Sequence, residues 1–399
     1  MPVVQTIEQR KDGVRKPRMA NLELLRCIAM MMVVALHYLG KGKLLGDVAQ
    51  DSMSAAGVTA WVVEALCIVA VNVYMLISGY FLSMSSFKLS RLLKLWFQVW
   101  IYSVGIGLLS VFTGILPAAE ADTHYFLELL FPISMGHYWF LTAYIFLYLM
   151  LPFLGRGLRK MTKGQMQLAL GMLLFTFCLS KTVLPFRLEM DGQGYDCIWY
   201  LCVFVTAAYI RRFGMPFLEK WGRSLCLYLG GCLALLAELF LLRQIYLRTG
   251  SLGLILKIST EYNHLFPFLA SVGLFGLFLH VRLRGKAAAV VTKIAPYTLG
   301  VYLLHENKGV RDVWQIWLGS EKVASPAGVI GYTMLAVLCV FTCGILADLV
   351  RDLLMRAAGF CMGRLPLGKA VLAKIEKADL AFHVQDSERG AAIEKTGKD

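Results

Sequence analysis

Charge is scarce in this sequence. Asp, Glu, Lys and Arg make up 17% of its 399 residues, while hydrophobic residues reach 58%. Soluble domains carry about 25% charged and about 45–50% apolar residues, so this balance excludes an ordinary soluble fold. A mean hydropathy of +0.63 points the same way. The ten cysteines include no CxxC pair and no Cys/His spacing of a zinc site, so neither a disulfide framework nor a metal centre is expected. Most of them (Cys27, Cys67, Cys178, Cys202, Cys226, Cys232, Cys339 and Cys343) lie inside apolar runs, where a thiol serves as a small hydrophobe. No small-residue cleavage site follows the first apolar run, which therefore reads as a retained span and not a signal peptide. No internal repeat is visible, so the inverted-repeat pattern of many transporters is missing.

What is present is a succession of apolar runs near bilayer length. Ten spans are expected, roughly at 20–39, 60–82, 95–116, 137–154, 166–184, 197–210, 224–242, 264–281, 287–304 and 327–347. The fold class is therefore all-α, a polytopic integral membrane protein of about ten transmembrane helices. Residues 1–19 read as a basic N-terminus, 20–350 as the transmembrane domain and 351–399 as a polar C-terminal tail with an amphipathic helix near 367–382.

The formal net charge of +14 would suggest nucleic acid in a soluble protein. Here the bases sit in short loops, the pattern of the positive-inside rule, so the expected partner is the lipid bilayer and not nucleic acid. Arg10, Lys11, Arg15, Lys16 and Arg18 put the N-terminus in the cytoplasm. Lys88, Arg91 and Lys94, then Arg156, Arg159, Lys160 and Lys163, then Arg211, Arg212, Lys220 and Arg223, then Arg282, Arg284, Lys286 and Lys293 fall on the same side. So does the tail with Arg351, Arg356, Arg364 and Lys369. Outer loops hold Glu120, Asp122 and Glu128, or mixed signs near Glu189, Asp191 and Asp196. The exception is 243–263, where Arg243, Arg248 and Lys257 outnumber Glu261. The implied location is the cytoplasmic (inner or plasma) membrane of a bacterial-type cell, with both termini inside.

Residues 26–37, RCIAMMMVVALH, place two ionisable groups on an apolar span. Eleven positions make about three turns, so Arg26 and His37 share a face, roughly 16 Å apart along the axis. Glu23 lies one turn before Arg26 on nearly the same stripe. An arginine in a span costs at least about 2.5 kcal/mol and persists where it meets a cavity or a partner. Snorkelling to the interface beside Glu23 accounts for Arg26 alone, but needs no register with a histidine three turns away. A shared polar cavity accounts for both: imidazole takes a proton near neutral pH, and guanidinium suits a phosphate or a developing oxyanion.

The string NLELLRCIAMMMVVALHY at 21–38 resembles the opening of the membrane-bound acyltransferase-3 family, with its Arg-x10-His signature. Three further segments are similar to that family's in order: VYMLISGYFL at 73–82, HYWFLTAYIFLYLMLPFL at 137–154 and YTLGVYLLHEN at 297–307. The likeness covers about residues 20–350. One departure stands in RLLKLWF, where the family often shows Arg-x-x-Arg-x-x-Pro: Arg91 matches, Lys94 replaces the second Arg, and Phe97 replaces Pro. Charge is kept at Lys94, but the bidentate fork is lost.

The resemblance implies an integral membrane O-acyltransferase that moves an acyl group, commonly acetyl, from acyl-CoA to a hydroxyl of a surface or lipid-linked carbohydrate. On that reading His37 is the general base or a brief acyl carrier, and Arg26 orients the donor or stabilises charge. Glu23 partners Arg26. Lys88, Arg91 and Lys94 form a basic cluster for the phosphates of acyl-CoA, or serve only as positive-inside anchors. Ser78, beside Gly79, is a helix break or a substrate contact, and Trp139 a belt aromatic or a sugar platform. Tyr302, His305 and Glu306 belong to the late motif. Glu64 and Glu238 are carboxylates in or near spans, functional by default. His124, His264, His280 and His383 read as solvated or interfacial. The rival function is a transporter or flippase lined by the same Arg/His stripe.

Overall fold

The computed structural model describes residues 18–183 and 191–396. Arg10, Lys11, Arg15, Lys16 and Glu189 lie outside these residues. Among the described residues there is no strand. Helix α1 spans Ala20–Lys41, α2 Ala55–Cys67 and α3 Ala70–Leu82, the last two running on as one span. Next come α4 (Leu89–Phe112), the short α5 (Thr123–Leu130), α6 (Trp139–Leu149) and α7 (Leu151–Lys160). Then follow α8 (Lys163–Leu174), α9 (Ser180–Val183), α10 (Cys197–Phe213), α11 (Trp221–Thr249) and α12 (Leu265–Leu279). The chain closes with α13 (Gly285–Ile294), α14 (Thr298–His305), α15 (Trp314–Trp317), α16 (Pro326–Met362) and α17 (Pro366–Thr396).

Local sequence sets these boundaries. Ser54, Asp122, Thr162, Asp196 and Ser325 each cap a helix by accepting a backbone N–H with the side-chain oxygen. Thr162 and Gln165 complete a capping box. Asp196, read above as loop charge, is thus the N-cap of α10. Pro152 in the first turn of α7 starts a new helix just after α6, and the two meet at 59°.

Eight helical runs among the described residues are long and apolar enough to cross a bilayer, or nine if α6 and α7 make one bent span. The expected sixth span is α10, 17 residues long, at the short limit for crossing. The expected count of about ten is approximate for that reason.

Helix α1 sits at the centre, against α2, α3, α12, α13, α14 and α16. Helices α14 and α16 approach closely because both carry glycine at the contact. A Cβ on Gly344 would fall 2.5 Å from the Val301 Cα, and one on Gly300 2.3 Å from the Asp348 Cβ. Close backbone approach through small residues is the usual source of helix association in lipid, where apolar burial gives little drive.

Three charges read as loop or tail residues have structural roles. Arg243 is buried on α11 and donates to the Gln50 and Asp51 carbonyls, each at 2.9 Å, so it ties down the loop after α1. Lys257 of the same exceptional segment lies over the Trp61 ring at 5.9 Å. Arg351 lies within α16, not beyond its end. It grips Asp348 through Nε at 3.0 Å and Nη2 at 2.7 Å, and Gln98 donates to the same carboxylate at 2.9 Å. Helix α17 folds back on α4. Asp379 accepts from the Ser90 N–H at 3.2 Å and from its hydroxyl, and Phe382 packs edge-on to Phe87 at 4.9 Å.

Replacing Gly344 with Leu should force α14 and α16 apart and destabilise the fold by about 1–3 kcal/mol. Thermal unfolding of the purified variant in nanodiscs checks this; a melting temperature equal to the parent's would contradict the close contact.

Candidate active site

A polar cluster lies where α1 meets the C-terminal end of α14. His37 Nδ1 is 2.8 Å from His305 Nε2, and His305 Nδ1 is 2.6 Å from the Val301 carbonyl oxygen. Glu306 Oε1 lies 3.5 Å from His37 Nδ1 and 2.5 Å from Lys41 Nζ. His305 and Glu306 are buried. The Lys41 ammonium gives Glu306 its counter-charge.

The run from His305 to Lys308 is fixed residue by residue. Trp314 Nε1 donates to the His305 carbonyl at 3.1 Å. Asn307 Nδ2 donates to the Tyr102 carbonyl at 3.1 Å and to the Tyr138 hydroxyl at 3.0 Å. Tyr138 in turn donates to the Leu303 carbonyl at 3.0 Å. The Lys308 N–H points to His137 Nε2 at 3.2 Å, and its ammonium pairs with Glu128. Pairing of this kind is what polar groups in an apolar interior require, though His137 Nδ1 stays without a partner.

His37 also lines a cleft of ≈ 470 Å³, its mouth included, between α1, α3, α6 and α14. Its walls are mainly apolar and aromatic: Met30, Val33 and Leu36 from α1, Val71 and Tyr74 from α3, Trp139 and Phe140 from α6, with Tyr262, Leu299 and Tyr302. The buried hydroxyls of Tyr74 and Tyr302 are the polar atoms these walls add, with Thr298 beside the first and the Phe140 backbone beside the second. At one side Trp139 meets Tyr195 at 4.4 Å and stacks on Tyr262 at 6.0 Å, while Tyr195 remains 47% exposed.

A buried charge clamp holds those tyrosines. Lys181 Nζ donates to Asp191 at 2.6 Å and to Asn263 at 2.9 Å, and pairs with Glu261. Asn263 closes the ring by donating to Asp191 at 2.7 Å. Burial raises the Asp191 carboxyl, but the hydrogen bond and charge of Lys181 outweigh it, so Asp191 titrates below its ordinary range.

Glu23, Arg26, Ser78, Lys88, Arg91 and Lys94, also singled out by sequence, lie outside the lining of this cleft. Arg26 does not line it; the guanidinium pairs with Glu23 at 2.7 Å. Tyr74, which does line it, lies within electrostatic reach of Arg26. Tyr144 lies within reach of both Arg26 and Arg91 and faces Ser78. Lys88, Arg91 and Lys94 are exposed at the start of α4, with the Lys88 backbone held by the Tyr148 hydroxyl at 3.1 Å. No break occurs at Ser78-Gly79: α3 runs through both. Gly79 is instead where α3 touches α10, with a Cβ there falling 2.8 Å from the Ala207 Cβ.

His264 corrects the reading of a solvated or interfacial residue. It is fully buried and stands 3.3 Å from Glu238, which gives that carboxylate its partner. His280 is part-buried at the end of α12, its Nε2 2.7 Å from the Leu218 carbonyl. His124 is exposed, and the His383 side chain lies outside the described residues. Glu64 keeps a buried oxygen without a hydrogen-bond partner, with Lys257 within electrostatic reach.

Lys41, Tyr74, Phe140 and Tyr262 were missed. Lys41 is one turn beyond His37 on the same face, a signal available in the sequence. Tyr74 and Phe140 sit inside motifs already quoted, but only tertiary packing shows that they face His37. The ligating atoms of His37, His305 and Glu306 lie within 4.8 Å of one another, a spacing suited to a metal ion that no sequence motif announces. The Lys41 ammonium already supplies the cation to Glu306, so an ion there would have to displace it.

A family model described as an acyltransferase domain matches residues 19–347, and the chain belongs to this membrane-bound acyltransferase-3 family. No curated protein and no solved structure matches it.

Lys181→Met should leave two buried carboxylates uncompensated and destabilise the fold by about 3–5 kcal/mol, read as a lower melting temperature. The folded Asp191 titrates below its unfolded value. Its contribution is thus complete above the ordinary aspartate value of about 3.9 and is lost as pH falls through the lowered one. An unchanged melt in Lys181→Met would contradict the clamp.

Proposed function

We propose that this membrane acyltransferase moves an acyl group, acetyl in the expected case, from acyl-CoA to a hydroxyl of a surface or lipid-linked carbohydrate. The observation that carries the proposal is His37: an imidazole that lines an aromatic-walled cleft while hydrogen-bonded to a second, buried imidazole. The acceptor hydroxyl gives its proton to His37 as its oxygen attacks the thioester carbonyl. The carbon–sulfur bond breaks, and the departing thiolate takes the proton back from the imidazolium. Glu306, 3.5 Å from His37 Nδ1, favours the transient positive charge.

Arg26 stands about three helical turns, roughly 16 Å, from His37, too far to touch the reacting carbonyl. Its role is with the donor. The exposed Lys88, Arg91 and Lys94 supply charge for the phosphates of acyl-CoA, and Tyr144, which faces Ser78, lies within electrostatic reach of both Arg91 and Arg26. The acyl arm then enters along α1 from the basic, cytoplasmic side. The acceptor enters past Trp139, Tyr195 and Tyr262, whose rings offer flat faces to the C–H face of a sugar.

His37→Ala should lower acyl-CoA consumption by about 10²–10⁴-fold at unchanged membrane expression. Arg26→Lys keeps the charge and loses the fork, and should cost roughly 10- to 100-fold, the worth of one charge-assisted hydrogen bond. Thiol release by purified protein with a glycan acceptor measures both. Full activity of His37→Ala would remove the mechanism, and full activity of Arg26→Lys would reduce Arg26 to an anchor.

A further inference from the structure

We propose that His305 is a positioning residue that decides which nitrogen of His37 is the base, so that His37 meets the acceptor through Nε2. This rests on the acyl-transfer reading above and adds to it a fixed tautomer.

The argument is one of donors and acceptors. The Val301 carbonyl oxygen, 2.6 Å from His305 Nδ1, can only accept. His305 Nδ1 therefore carries a hydrogen, and in the neutral ring Nε2 carries a lone pair. His37 Nδ1 stands 2.8 Å from that lone pair, so it must be the donor. The hydrogen on Nδ1 leaves the lone pair of His37 on Nε2, the nitrogen that makes no hydrogen bond among the described residues. The free imidazole prefers the opposite tautomer, with hydrogen on Nε2, and in that form His37 could not accept a proton at Nε2.

The surroundings hold this arrangement. Helix α14 ends at His305, the Trp314 indole fixes the His305 carbonyl at 3.1 Å, and Gly344 lets α14 sit on α16. Among the described residues, the charged groups that act on His37 are Glu306, its Oε1 3.5 Å from Nδ1, Lys41 bound to that same oxygen, and Arg311 within electrostatic reach. When His37 takes the acceptor proton on Nε2, its Nδ1–H keeps the bond to His305, and Glu306 balances the charge. His305 itself gains and loses no proton, and it touches neither acceptor nor donor.

The test is ¹⁵N NMR of histidine-labelled protein in nanodiscs, beside steady-state kinetics of His305→Gln and His305→Leu. The His37 signals are assigned by their loss in His37→Ala. In the parent protein His37 should appear as the Nδ1–H tautomer. His305→Gln offers an amide oxygen near the old Nε2 position, and should keep that tautomer with kcat within about 10-fold of the parent. His305→Leu removes the acceptor. It should shift His37 to the Nε2–H form and lower kcat by about 100-fold or more, with KM for acyl-CoA unchanged. A parent protein whose His37 is the Nε2–H tautomer would overturn the proposal. So would His305→Leu with parental kcat and an unshifted pH profile. If His305→Leu does not fold, the parent spectrum and His305→Gln decide the matter. An active His37→Ala sinks the catalytic reading even where the tautomer is as expected. An inactive His37→Ala with the wrong parental tautomer sinks only the role of His305.

Discussion

A single hydrogen bond, His37 Nδ1 to His305 Nε2, joins the first span to the end of α14 across 268 positions of sequence. The rest of the site follows from the need to satisfy it. Two imidazoles and a carboxylate away from water are costly unless each finds a partner. Val301 supplies a carbonyl to one ring, Lys41 an ammonium to Glu306, and Trp314 and Tyr138 hold the turn that carries them. The close approach of α14 to α16 at Gly344 is part of the same requirement, because it sets the depth at which His305 ends its helix.

Along α1 the electrostatics divide in two. Arg26 and Glu23 neutralise each other near the start of the helix, and His37, Lys41 and Glu306 form a second balanced group near its end. Between them the helix is apolar, and its Met30, Val33 and Leu36 side chains form one wall of the cleft. This arrangement suits the proposed donor, held by charge at one end and reacting at the other. The rings around Trp139, beside the Lys181 clamp, suit the proposed acceptor, whose sugar needs a flat, rigid surface.

Much of this was legible in the sequence, and the limits have physical causes. The register of Arg26 with His37 follows from helical period alone, and the apolar runs marked nearly every span. Charge misled where a helix neutralises it internally. Arg351 read as tail because hydropathy falls there, yet the Asp348 carboxylate three residues earlier lets α16 continue past it. Arg243 read as an outer loop base because its acceptors, the Gln50 and Asp51 carbonyls, are distant in sequence. His264 looked interfacial for the same reason, its Glu238 partner lying on the preceding helix. His305 was recognised as a candidate, but no local pattern reveals that its ring meets His37, since that contact is made only by packing α14 against α1.

The account's central claim is that an imidazole pair, one ring facing the cleft and one buried, serves thioester-to-hydroxyl transfer. The most direct measurement supplies purified protein in liposomes with isotopically labelled acetyl-CoA and a hydroxyl-bearing glycan, then follows thiol release and the linkage of the product. The account predicts thiol release that depends on the acceptor, and label recovered in an ester that hydroxylamine cleaves. Label recovered as an amide, or glycan flux across the liposome without any consumption of acetyl-CoA, would contradict it.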